Sequence, residues 1–157
     1  MNVRDVMRKD VITCSPDDTV GSLSKIFKES GISGVPVVEK GKVVGIVSET
    51  DLIKLFKVPE FSGELWLPSP LEVIEVPLRN LFRIEEFRKD LEEMKLKPVR
   101  DIMKKTVYSI SPDDTLEEAS RRMVRHRVNR LPVIENDKLV GIIARCDIIM
   151  GLSTIQE

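Results

Sequence analysis

The chain aligns with itself. Shifted by 96 positions, Val3-Arg4-Asp5 meets Val99-Arg100-Asp101, and Met7 meets Met103. Without a gap, Ser15-Pro16-Asp17-Asp18-Thr19 then meets Ser111-Pro112-Asp113-Asp114-Thr115. Pro36-Val37 meets Pro132-Val133, Gly45-Ile46 meets Gly141-Ile142, and Asp51 meets Asp147. About 21 of the 51 aligned positions from Val3 to Ile53 are identical, far beyond chance. Two copies are too few for a solenoid. They suit a pair packed about a pseudo-twofold axis, each burying what the other exposes.

Each copy reads the same way. In the first, Val3-Arg4-Asp5-Val6-Met7 is a short opening segment and Val11-Ile12-Thr13-Cys14 a short strand. Ser15-Pro16-Asp17-Asp18 is a turn, with Thr19 placed to cap the next helix. Val20, Leu23, Ile26 and Phe27 recur at helical spacing, and Gly31 stops that helix. Val35-Pro36-Val37-Val38 and Val43-Val44-Gly45-Ile46-Val47 flank Glu39-Lys40-Gly41-Lys42, a hairpin pattern. The run then meets Ser48-Glu49-Thr50-Asp51 and a helical pattern through Leu52, Ile53, Leu55 and Phe56. The second copy repeats this from Val99 to about Met150, and Thr115-Leu116-Glu117-Glu118 is a capping-box pattern.

Between the copies lies a segment unlike either. Leu65-Trp66-Leu67 is bracketed by prolines and is expected to be partly buried. From Pro77 onward Leu78, Leu81, Ile84, Phe87, Leu91 and Met94 recur at helical spacing. This helix is expected to cover core left open by one copy. The organisation expected is therefore residues 1–56, an insertion over 57–98, and residues 99–152.

Composition excludes several classes. The formal net charge is −1, so no global field steers the chain to nucleic acid or anionic membrane. No apolar run reaches membrane-span length. Aromatic residues are only 4%, so the core must be Val, Ile and Leu. Cys14 and Cys146 fit no zinc or redox spacing and read as free thiols in a reducing cytoplasm. His126 has no ligand partner at helical spacing, and its arginine-rich neighbourhood reads as a solvated helix face. Abundant Lys, Arg and Glu beside a single Gln points to a thermophilic source. No nucleophile–base pair, metal cluster or glycine-lysine phosphate loop appears, so an enzyme is not expected.

Two units with Ser-Pro-Asp-Asp-Thr, a Val/Leu-Pro-Val hairpin and Gly-Ile-x-x-x-x-Asp resemble a tandem cystathionine-β-synthase (CBS) domain pair. The resemblance spans both copies and suggests an archaeal protein. It implies an α+β fold. Two pseudo-twofold-related β-α-β-β-α repeats would pack through their sheets into one disc, with the helical insertion between them. It implies a regulatory module whose clefts take AMP, ADP, ATP or S-adenosylmethionine. No catalytic cofactor is implied. A homodimer is expected, with the second helices of both repeats in contact (Leu52 to Phe56 and Ile148 to Leu152), and the regulated protein is unnamed. The alternative is a dimerisation scaffold whose clefts stay empty.

The resemblance also assigns residues. Asp51 would hold the ribose hydroxyls and Ser48 the phosphate, chemistry that suits a carboxylate facing a diol and a hydroxyl at a helix start. Thr13 and Cys14 would line the adenine edge, with Val35 and Pro36 on its face. In the second repeat Ser109, Ile110, Leu131, Pro132 and Asp147 take those places, but Ala144 replaces the hydroxyl. Arg130 or Arg145 would then supply the phosphate contact.

Overall fold

A computed structural model describes residues 1–56 and 76–153. In chain order the elements are α1 (Val3–Val6), α2 (Val20–Ser30), β1 (Gly34–Glu39), β2 (Lys42–Ser48) and α3 (Glu49–Ile53). The insertion helix α4 (Val76–Leu96) follows, then a 3-10 turn at Val99–Asp101. The second repeat adds α5 (Leu116–His126), β3 (Arg130–Glu135), β4 (Lys138–Ala144) and α6 (Arg145–Ser153). Trp66 lies outside the described residues.

Both hairpins close on two residues, Lys40-Gly41 and Asn136-Asp137, all four with positive φ. That is the turn whose twist matches paired strands. Each sheet has two antiparallel strands. Capping is local and repeated: Ser22 donates its backbone N–H to Thr19 Oγ1 at 3.2 Å, and Glu118 does the same to Thr115 Oγ1 at 3.2 Å. Glu118 does not complete the expected reciprocal box. Its carboxylate instead accepts from Arg121 and Arg122, at 2.6 and 2.8 Å. Arg122 also donates to the Ser109 carbonyl at 2.6 Å, so this arginine is a strut rather than a solvated one.

The expected opening strand is reduced to one ladder contact per repeat. Cys14 bridges Val37 in parallel, and Ile110 bridges Val133. Cys14 donates its N–H to the Pro36 carbonyl at 3.1 Å and accepts from the Val38 N–H at 2.8 Å.

The two opening segments are exchanged. Val3 is fully buried in the cluster of Ile110, Met123, Leu131, Val133 and Ile143, which is the core of the second repeat. Val99 is fully buried among Leu23, Val35, Val37 and Val47, the core of the first. Backbone bonds fix this arrangement, Val3 N–H to the Asp114 carbonyl and Val99 N–H to the Asp18 carbonyl, at 2.9 and 2.7 Å. Arg4 pairs with Asp113, and Arg100 with Asp17, in the same crossed sense. Glycine makes the crossing possible. A Cβ at Gly45 would lie 2.6 Å from Met103 Sδ, and one at Gly141 would lie 2.6 Å from Met7 Sδ. Each repeat is thus completed by the other's opening residues, and the two form one disc through paired, symmetric contacts.

The side chains of helix α4 are described from Glu85 onward, so Leu78, Leu81 and Ile84 of its expected apolar face lie outside the described residues. The helix packs on α2, where a Cβ at Gly21 would lie 3.3 Å from the Lys95 carbonyl oxygen. Leu91 and Met94 are half-buried, but Phe87 and Leu96 are exposed. Among its described side chains none belongs to either core cluster.

Candidate functional site: two clefts shared between the repeats

Among the described residues two carboxylates are buried, Asp51 at 7% exposure and Asp147 at 6%. Each sits where a strand, β2 or β4, turns into a helix, α3 or α6. The turn leaves backbone N–H groups free, and one oxygen of each carboxylate takes them up. Asp51 Oδ2 accepts from the Ser48 N–H at 2.8 Å and from the Ser48 hydroxyl at 3.0 Å. Asp147 Oδ2 accepts from the Ala144 N–H at 2.8 Å. The other oxygen of each lies beside a cation brought by the other repeat. Arg8 Nε donates to Asp147 Oδ1 at 3.0 Å, while Lys104 Nζ stands 3.9 Å from Asp51 Oδ1. That hydrogen bond, with the Asp147 charge behind it, raises the Arg8 guanidinium above its ordinary pKa. Each side chain thus caps its helix with one oxygen and meets a cation of the other repeat with the second.

A cleft of about 380 Å³ opens beside Asp147, which lines it with Arg8, Asp10, Ile12, Ile32 and Cys146. A second of about 380 Å³ is lined by Ile46, Lys104, Lys105, Thr106, Tyr108, His126 and Val128. Both are large enough for a small ligand. At the 96-residue offset much of their lining corresponds: Arg8 is the mate of Lys104, Asp10 of Thr106, Ile12 of Tyr108, and Ile32 of Val128, whereas Ser48 and Asp51, the mates of Ala144 and Asp147, do not line the second cleft. The second cleft differs in carrying an aromatic pair. The Tyr108 and His126 rings stack at 3.7 Å between centroids and 14° between planes. Arg130 lines both clefts.

The structure groups these side chains across the two repeats. Asp51 faces the opening segment of the second repeat and Asp147 that of the first, because those segments are exchanged. Cys14, Val35, Ile110 and Leu131 are core residues and line neither cleft, and Pro36 and Pro132 are likewise buried. Thr13 is exposed and Ser109 half-buried, its carbonyl held by Arg122, and neither lines a cleft. Arg145 is exposed at the start of α6 and lines neither cleft, whereas Ala144 lines the Asp147 cleft. Lys104, Tyr108 and His126 carried no sequence signal of their own. Their mates Arg8, Ile12 and Ser30 share no residue type with them.

The CBS domain profile matches residues 3–58 and again residues 99–154. The chain belongs to the CBS domain family. An uncharacterised protein of Methanocaldococcus jannaschii, MJ1426, is 38% identical over 154 residues, covering 97% of this chain and 91% of its own. Among solved structures, CBSX2 in complex with AMP has a TM-score of 0.71 at 22% identity, with 99% of this chain and 98% of that one covered. The CBS domain pair of protein MJ0100, in complex with 5′-methylthioadenosine and S-adenosylmethionine, has a TM-score of 0.69 at 19% identity, covering 99% and 98%. At such identities the structural likeness is one of fold. No helix among the described residues is long and apolar enough to cross a membrane.

Proposed function

We propose that this CBS pair is a regulatory module whose clefts hold an adenosyl ligand of the AMP, ADP, ATP or S-adenosylmethionine class. The observation that carries this reading is the pair of buried carboxylates, each with its second oxygen beside a cation from the opposite repeat. Such an oxygen is placed to accept from a vicinal diol, and a neighbouring Arg or Lys suits a phosphate or carboxylate. The stacked Tyr108 offers a base a π-face in one cleft. Relatives of the same fold hold AMP, 5′-methylthioadenosine and S-adenosylmethionine.

Regulation follows from shared construction. Each cleft is built from both repeats, so a ligand in it ties them together. It shifts the arrangement only by its differential affinity for the tied and untied states. The signal would pass to a second copy of the chain. Ile53 and Ile149 are mates at the 96-residue offset and both are exposed, as are Phe56 and Leu152 beside them, which supports a twofold dimer through α3 and α6.

A thermal-shift panel of adenosine, AMP, ATP and S-adenosylmethionine tests the ligand class. A ligand at a hundred times its dissociation constant should add about 2.7 kcal/mol. No shift and no calorimetric heat with any of the four would leave a scaffold with empty clefts.

A further inference from the structure

Among the described residues the side chain of Arg130 has a position unlike that of any other cation. It starts β3, yet its guanidinium lies against the first repeat. Its Nη2 donates to Ser33 Oγ at 2.6 Å. A Cβ placed on Gly34 would lie 2.6 Å from its Cζ and 3.0 Å from its Nε. Gly34 is the mate of Arg130 at the 96-residue offset, so the two positions face each other across the pseudo-twofold axis. There is room between them for one guanidinium, which occupies the space a side chain at 34 would need. That is why it borders both clefts.

Its electrostatic setting is also distinct. Among the described residues no carboxylate forms an ion pair with it, and burial lowers its pKa, with Glu49 acting against this from longer range. A half-buried guanidinium held by one neutral hydroxyl retains donors and charge for an anion. It has one unit of charge to offer. A phosphate in one cleft would neutralise it, and a phosphate entering the other cleft would then find less attraction. A ligand without phosphate makes no such demand.

We propose that Arg130 is a single phosphate-directed cation serving both clefts, so that phosphorylated ligands bind the two clefts anticooperatively while the unphosphorylated nucleoside binds them independently. This rests on the clefts being adenosyl sites, and the test separates the two claims.

Calorimetric titration of the intact chain with AMP and with adenosine reads the effect directly. The ratio of second-step to first-step dissociation constants should be about tenfold or more larger for AMP than for adenosine. Arg130→Gln, which leaves Asp51 and Asp147 in place, should weaken AMP and collapse the two ratios to within about twofold of each other. Simple repulsion between two bound phosphates predicts the opposite, a splitting that persists or grows in Arg130→Gln, and that result overturns the proposal. Equal ratios for AMP and adenosine in the unmodified chain overturn it as well, with the sensor role intact. If neither ligand binds, the adenosyl reading itself falls and this proposal falls with it.

Discussion

Val3 and Val99 occupy each other's repeat, each fully buried in the core built by the other half of the chain. Neither repeat is then a complete folding unit, since each lacks a buried wedge that only the other supplies.

Trimming one of these residues should therefore act at a distance in sequence. Val3→Ala is expected to cost about 2 kcal/mol, the loss of a buried aliphatic group plus the space it leaves. Amide exchange should show the loss of protection in α5, β3 and β4 more than in α2, β1 and β2. Val99→Ala should give the mirror pattern. Protection lost within the residue's own repeat would contradict the exchanged arrangement.

Gly34 and Arg130 should be coupled. Gly34→Ala pushes a methyl into the guanidinium, which must give up its Ser33 bond, so a destabilisation of about 1–3 kcal/mol is expected. Combining it with Arg130→Ala should recover most of that cost, because the clash has gone. A double-mutant cycle in denaturant measures this, and additive effects would mean the two side chains do not share one space.

The thiols should differ sharply. Cys146 is exposed beside Arg8, whereas Cys14 is buried and burial pushes its pKa up to about 11, with the Asp18 charge adding to the shift. A thiol reagent at pH 8 should label Cys146 at once and Cys14 only after unfolding. The sign of the stability effect follows. The folded state holds the Cys14 proton more tightly, so its contribution is complete below the unfolded value of 9.0 and is lost as pH rises toward about 11. The loss amounts to at most about 3 kcal/mol. Cys14→Ala should lack this component of the alkaline decline.

Assembly is open to a direct check. Ile53→Glu with Ile149→Glu places charge on the exposed apolar faces of α3 and α6. Sedimentation should show the unmodified chain as a dimer at micromolar concentration and the double variant as a monomer of unchanged helicity. A monomer in both cases would remove the proposed dimer route for the signal.

Much of this structure was legible in the sequence because its causes are local. The Thr19 and Thr115 caps, the Gly31 stop and the two-residue hairpin turns depend on neighbours a few positions away. The carboxylates at 51 and 147 were visible because the repeat sets them at the same strand-to-helix turn. What was not legible is which segment pairs with which. Val3 fits either core equally well by size and polarity, so only the assembled fold shows the exchange that sets Arg8 against Asp147 and Lys104 against Asp51. Tyr108 and His126 are far apart in sequence and meet only because α5 ends beside the segment leading to Ile110.

The most direct measurement is the stoichiometry of AMP binding in Asp51→Asn, Asp147→Asn and the double variant. Asparagine keeps an oxygen for the backbone cap and removes the charge beside Lys104 or Arg8. Each single variant should retain one site and lose at least about tenfold in affinity at the other, and the folded double variant should bind neither measurably. A folded double variant that binds AMP with the stoichiometry and affinity of the unmodified chain would show that these carboxylates are helix caps alone and that the ligand, if any, lies elsewhere.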